Sequence, residues 1–270
     1  MRYGFIGLGN MGSSLAAGLL DGGAVPPESI SVANRSPGKA GSFIKRYPGV
    51  AVAGSNVQAA EDSDVLFVAV RTDQLLGVLK EISSVGKDMH VVVVNGAMPL
   101  MRLEEVCGHP VSKLIPSVTM ERGRGVSLLS HGPSVAIAQA RSLENVLGSA
   151  SKVMVVPEGH MDVATDLTSC GPALIAEMMH QFAEAGVRHG IERKDAWEMV
   201  LETMQGAALA LASGESAHSL KEKVATKGGI TEQGLLVLEA ELPAVFDMVM
   251  ERTLAKHAEV RKRLLTNTDP

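Results

Sequence analysis

Tyr3-Gly4-Phe5-Ile6-Gly7-Leu8-Gly9-Asn10-Met11-Gly12-Ser13-Ser14-Leu15-Ala16-Ala17-Gly18-Leu19-Leu20 runs from a short apolar segment, through glycines spaced as GxGxxG, into a segment of helical character. This order is that of a strand, a tight turn and a helix. Gly7 permits the turn, Gly9 lets the backbone approach a pyrophosphate, and Gly12 allows the helix to pack closely on the strand. The helix N-terminus adds free N–H groups and the positive end of a dipole. A purely structural glycine turn is the competing reading. The placement directly after a strand and at the mouth of a helix favours a dinucleotide site, so Gly7, Leu8, Gly9, Asn10, Met11 and Gly12 are cofactor-binding candidates.

Outward from this stretch, short apolar runs alternate with amphipathic ones. Strands are expected at Tyr3–Ile6, Ser29–Ala33, Val50–Val52, Val65–Val70, Met89–Val94 and Ser112–Ile115. Helices are expected at Met11–Leu20, Lys39–Arg46, Gln74–Ile82 and Leu100–Val106. The wholly apolar Val65–Val70 suits a strand buried on both faces. Such alternation implies a doubly wound parallel sheet of Rossmann type with right-handed crossovers. After about residue 155 only helices are expected, at Pro172–Gly186, Lys194–Ser213 and Leu235–Leu265. Stretches such as Ala207-Ala208-Leu209-Ala210-Leu211 are apolar nearly all round and must be covered on several sides. The expected division is therefore an α/β dinucleotide-binding domain over 1–155 and an all-helical domain over 156–270. The second would pair with another copy to form a homodimer, or a higher oligomer built on it.

Composition narrows the function classes. The 270 residues carry a formal net charge of −5 with no basic block, which speaks against nucleic acid as a partner. No apolar run reaches the ~20 residues that span a bilayer, and the start of the sequence does not read as a signal peptide. Aromatics make up only 3% while methionines number 14, so Ala, Val, Leu and Met must fill the interior. Cys107 and Cys170 are too far apart in sequence to suggest a redox pair, in keeping with a reducing cytoplasm. The eight histidines lack ligand spacing, so no metal site is expected. Asp162 and Asp166, one helical turn apart, read as a solvated or N-terminal helix face.

The end of the second strand bears on which dinucleotide binds. An NAD site places an acidic residue there for the ribose 2′-OH. Here Asn34-Arg35-Ser36 offers a cation and two hydrogen-bonding side chains, suited to a 2′-phosphate. NADP is thus expected, with NADPH preferred over NADH, against the alternative of an ordinary polar turn before Pro37. Ligands of parallel sheets meet the carboxyl ends of the strands. That adds Ala69, Val70 and Arg71 at one strand end, Asn95, Gly96 and Ala97 at another, and Asn56 after the third strand. Arg71 reads equally well as a solvated loop charge.

At this point the chain resembles the pyrroline-5-carboxylate reductase family, from its start to about residue 255. The opening Gly4–Met11 is similar to the family's, though hydroxyacid dehydrogenases share it. More specific are Glu158, Asp162 and Thr165 leading into Ser169-Cys170-Gly171-Pro172-Ala173, which resembles GSGPA. Ala183–Val187 with Gly190-Ile191, Gln205–Ala208 and Leu220-Lys221 follow in the family's order. Thr226-Lys227-Gly228-Gly229-Ile230-Thr231 then resembles its SPGGTT loop.

The resemblance implies an oxidoreductase that reduces the C=N bond of a small cyclic imine, as in 1-pyrroline-5-carboxylate to L-proline. It places the substrate carboxylate at Thr226, Gly228, Gly229, Ile230 and Thr231, the glycine N–H groups forming a nest for an anion. Thr231 would be the catalytic residue, bonded to the ring nitrogen or carboxylate and relaying a proton. Glu158 would stabilise a cationic iminium. Dimerisation would complete the site, because the loop meets the partner's Rossmann half. On the residues alone, a helix-capping Gly-Gly turn and a surface Glu158 stay open.

The chain also departs from the family. KPQ becomes Arg71-Thr72-Asp73, RxMPN becomes Lys113-Leu114-Ile115-Pro116-Ser117, and Lys227 replaces the loop proline. A related imine and a non-catalytic NADP-binding paralogue are therefore alternatives. A β-hydroxyacid dehydrogenase is disfavoured, since Pro172–Gly186 holds neither Lys nor Asn.

Overall fold

The computed structural model describes residues 1–86, 88–117, 119–120 and 124–266. Two compact units emerge, Met1–Ser169 with Leu254–Pro270, and Cys170–Thr253. Compactness therefore divides the chain later than residue 155 and counts the end of the last helix with the sheet.

In the first unit, β1 (Tyr3–Ile6) lies between β2 (Ile30–Ala33) and β4 (Val65–Val68), and the full order is β3-β2-β1-β4-β5-β6-β7-β8. The strands β3 (Ala51–Val52), β5 (His90–Val93) and β6 (Val111–Ile115) continue the parallel arrangement. Every residue of β1, β4 and β5 is buried, as continuous apolar runs covered on both faces require. Phe5 stands opposite Phe67 in register, and their rings stack at 4.7 Å. One core joins Phe5 to Leu15 and Leu19 of α1 (Asn10–Asp21). A second joins Leu66 and Val68 to Leu75 and Leu79 of α4 (Thr72–Ile82) and to Leu103 of α5 (Leu100–Cys107). The connecting helices α2 (Pro37–Arg46) and α3 (Asn56–Glu61) complete this half. Burial pushes the Cys107 thiol up to about 12, the state of a core residue.

Three departures from expectation have physical causes. The sheet continues past β6 into β7 (Val126–His131), which runs antiparallel to it, and then α6 (Ile137–Gly148) and β8 (Lys152–Val155). β7 is masked in sequence because its serines point inward: Ser127 Oγ bonds Ser151 Oγ at 2.6 Å, and both residues are buried. β4 ends at Val68 rather than Val70, although Ala69 N–H still donates to the Ile6 carbonyl at 2.8 Å. Asp166 is fully buried rather than solvated, with His257 Nε2 at 3.0 Å from Oδ1. It opens a single π-turn, Asp166–Cys170, that follows α7 (Met161–Thr165). Cys170, in turn, is only half-buried.

A polar chain also threads the sheet. Ser112 Oγ lies 2.8 Å from His90 Nε2 and 2.7 Å from His131 Nδ1. Burial, with His131 adding to it, pushes the His90 imidazole down to about 4.

The second unit is helical: α8 (Gly171–Arg188), α9 (Arg193–Ala212), α10 (Ala217–Val224) and α11 (Ile230–Thr266), which starts five residues before the expected Leu235. Ala183, Ala196 and Val200 form its small core with Met179, Val187 and Met204 against them. Phe182, Met199, Leu209 and Leu236 remain exposed in the single chain, so this unit presents apolar surface that needs cover.

Candidate active site

The turn between β1 and α1 is shaped by contacts that only glycine permits. Gly7 sits at φ +96°, and a Cβ there would come within 2.5 Å of the Ala69 carbonyl oxygen. A Cβ on Gly12 would collide with the Gly7 carbonyl oxygen. Gly9 is different: a Cβ there meets no protein atom within 4 Å, because the residue faces open space. Two residues hold the turn closed and one leaves its wall clear for a backbone-hugging ligand, which is the arrangement a pyrophosphate needs.

That wall belongs to a cavity of about 420 Å³. Gly7, Gly9, Asn34, Arg35, Ser36, Asn56, Ala69, Val70 and Arg71 all line it, which brings together nine candidates from four strand ends. Asn34 is partly committed to holding the turn, since its Oδ1 accepts from Leu8 N–H at 2.9 Å and its amide donates to the Ser36 carbonyl at 2.9 Å. Asn56 donates to Glu81 at 2.9 Å across the cavity wall. Arg71 grips Asp73 through Nε at 3.0 Å, and that bond holds the Asp73 carboxyl below its usual range, with Arg35 adding to the effect. Leu8 and Asn10 line an adjoining cavity of about 750 Å³ together with Gly9 and Ser36. Met11 and Gly12 line neither cavity, and Gly12 is buried.

Asn95 shapes the loop after β5: its Oδ1 accepts from Ala97 N–H at 2.9 Å and Met98 N–H at 3.1 Å, while its amide donates to Thr72 Oγ1 at 2.9 Å. Asn95 and Gly96 line none of these cavities. Ala97 lines a third, of about 300 Å³, with Pro99, Lys113, Glu158, Asp162 and Arg261. Glu158 is more than a surface residue. Its Oε1 accepts from Leu100 N–H at 2.8 Å, at the start of α5, and from Lys113 Nζ at 2.9 Å.

The remaining candidates lie in the helical unit. Gly228, at φ +75°, donates its N–H to the Glu232 carboxylate at 2.7 Å, and Gly229 N–H bonds the Thr226 carbonyl at 2.8 Å. The Glu232 oxygen is thus an internal carboxylate held by the Gly228 N–H. Ile230 is 95% exposed, and Thr226 and Thr231 are exposed as well.

Several side chains escaped the sequence reading. Lys39 lines both of the first two cavities from the first turn of α2, three residues after Ser36, and that spacing alone was a usable signal. Lys113 is buried at 3% side-chain exposure within β6, between Ser112 and Leu114. Arg261, paired with Asp162, comes from the far end of α11, and local sequence carries no sign of that meeting. Among the described residues, no group of three His, Cys, Asp or Glu side chains is placed to hold a metal.

Comparison with known proteins adds independent findings. Residues 158–260 match the family described as pyrroline-5-carboxylate reductase dimerisation. Residues 2–97 match the family described as NADP oxidoreductase coenzyme F420-dependent. The chain is 31% identical to pyrroline-5-carboxylate reductase 3 of Danio rerio, covering 88% of this chain and 84% of that one. It is 28% identical to ComE operon protein 4 of Bacillus subtilis over 96% of both chains. A solved pyrroline-5-carboxylate reductase from Coxiella burnetii superposes with a TM-score of 0.86 at 26% identity, covering 97% of this chain and 98% of that one.

Proposed function

The chain belongs to the pyrroline-5-carboxylate reductase family, an oxidoreductase family acting on a C=N bond, and from that premise we propose that it reduces 1-pyrroline-5-carboxylate, or a close cyclic imine, with NADPH in preference to NADH. The observation that carries the reading is the cavity at the ends of β1, β2 and β4, where Arg35 and Lys39 stand and the end of β2 holds no carboxylate. Two cations there suit a 2′-phosphate, whereas an acid would suit a free 2′-OH.

The cofactor supplies hydride to the imine carbon. The protein's part is binding, orientation and charge. Gly7 and Gly9 give backbone access for the pyrophosphate, and Arg35, with Ser36, holds the 2′-phosphate. The Gly228 N–H, which already holds a carboxylate, receives the substrate's carboxylate together with Gly229 and Thr226. Thr231 hydrogen-bonds the ring nitrogen or carboxylate and relays the proton the amine product requires. Glu158 opposes the positive charge of the iminium.

In this reading residues 1–155 bind NADP, and residues 156–270 bind substrate and form a homodimer through exposed apolar helix faces such as those of Phe182 and Leu209. No helix among the described residues is long and apolar enough to cross a membrane, and the proposed setting is the cytoplasm. A second reading, an NADP-binding protein without turnover, draws on the same Glu232 contact if that carboxylate keeps the anion nest for itself.

The test is NADPH oxidation by the purified chain across a panel of cyclic imines. Turnover with pyrroline-5-carboxylate is expected. Tight NADPH binding with no oxidation of any imine would sink the enzyme reading. Thr231→Ala should lower turnover by about tenfold or more while leaving NADPH affinity nearly unchanged.

A further inference from the structure

Lys113 is a buried cation whose partner, Glu158, is also a proposed substrate-site residue. It sits in the middle of β6, paired in register with Val93 of β5 on one side and Ser130 of β7 on the other. Its side chain is only 3% exposed, yet it carries a full charge that burial penalises strongly unless it is paired. The Nζ donates to Glu158 Oε1 at 2.9 Å, and the same oxygen accepts the Leu100 N–H at 2.8 Å. Glu158 is thus fixed by one strand and one helix start, while about a third of its side chain stays exposed. Both residues line the 300 Å³ cavity that also reaches Ala97, a proposed cofactor contact.

An unsupported surface glutamate samples several rotamers and pays entropy to hold one. Here the ammonium and the backbone N–H settle its position in advance, and the strand that carries Lys113 is locked on both sides. We infer that Lys113 is a positioning residue for the reaction: it holds the Glu158 carboxylate oriented toward the bound imine. The inference rests on the proposed function, since it assigns Lys113 a role at the same site. It also supplies a reason for a lysine in a core strand, where an apolar residue would pack at least as well.

The experiment compares wild type with Lys113→Met, which keeps the length of the side chain and removes its charge, and with Lys113→Arg. Lys113→Met should lower kcat with the imine by about tenfold while NADPH affinity, read by fluorescence titration, stays within about twofold. Lys113→Arg should restore most of the rate. Adding Lys113→Met to Glu158→Gln should cost little beyond Glu158→Gln alone.

An unchanged kcat in Lys113→Met would overturn the inference. So would a loss that Arg does not rescue and that falls equally on NADPH binding, the mark of a merely structural lysine. The carbon-detected side-chain carboxyl signal of Glu158, assigned with Glu158→Gln, should change its chemical shift in Lys113→Met, a readout that needs no turnover. If wild type reduces no imine, the proposed function fails by itself, and this signal still decides whether Lys113 governs Glu158: an unmoved signal overturns the pairing.

Discussion

Of the glycine-bearing turns that stand before helices, the one between β1 and α1 and the one between α10 and α11 make the sharpest contrast. In the first, the glycines are fixed by distant structure. Gly7 is pressed against Ala69 from the end of β4, and Gly12 against the backbone of Gly7. In the second, Gly228 adopts φ +75° in open space, and the closest atoms to Gly229 belong to Thr226 of the same turn. The first turn has its shape set by the packing of a sheet, whereas the second is set only by its own few residues. A site built on the second must draw its remaining precision from something else, and in the proposed function that is a second copy of the chain.

The largest effect should come from Gly12→Ala. The added methyl meets a backbone carbonyl that cannot rotate away, and overpacking of this kind costs about 3 kcal/mol or more. Urea unfolding should show that loss, with NADPH binding falling alongside it. Stability within a few tenths of a kcal/mol of wild type would break the contrast between the two turns.

Next in size is acid sensitivity of the sheet unit. His90 stays neutral in the fold because burial pushes it down to about 4, whereas the unfolded chain titrates near 6.5. Between those values the unfolded state binds the extra proton. Stability is therefore fully present above about pH 6.5 and is lost as pH falls toward 4, by up to about 3 kcal/mol from this one group. Replacing His90 with Gln should flatten that part of the stability profile, and an equally steep profile in the variant would assign the loss to other groups.

Arg35→Asp addresses the cofactor end of the first turn. It removes the cation proposed for the 2′-phosphate and adds a like charge, so NADPH affinity should fall by about 100-fold and NADH affinity far less. Equal losses for the two cofactors would remove Arg35 from that role. The smallest effect is expected at the second turn. Gly228→Ala imposes a left-handed conformation on a residue with free space around it, costing about 1 kcal/mol in thermal or urea unfolding. A loss as large as that of Gly12→Ala would mean that the second turn is as tightly constrained as the first.

The same contrast explains what could be read from the sequence. The strand–turn–helix at Tyr3–Asp21 was legible because local pattern and tertiary demand coincide there: an apolar run, glycines at sterically closed positions, then a helix. Arg35 was picked because cofactor chemistry asks for a charge at a fixed point after a strand, and the fold brings it to the cavity lined by Gly7 and Gly9. The elements β7, α6 and β8 were not, since Ser127 and Ser130 turn inward and break the apolar signature. Lys113 and Arg261 were opaque for another reason. Their meaning lies in partners, Glu158 and Asp162, that only the fold brings near. Glu158 itself was picked from its resemblance to a family motif, and its bond to the first N–H of α5 could not have been seen there.

The position of β1 also bears on how the molecule is made. Tyr3–Ile6 is synthesised before both of its neighbours, yet it finishes in the interior of the sheet, bonded on one side to Ile30–Ala33 and on the other to Val65–Val68. Until the ribosome has released both neighbours, this apolar strand has nothing to pair with. Its closure depends on contacts far apart along the chain, which slows folding and leaves the segment open to capture by chaperones or by other nascent chains. The stretch that announces the fold most clearly is thus among those that must wait for it during translation.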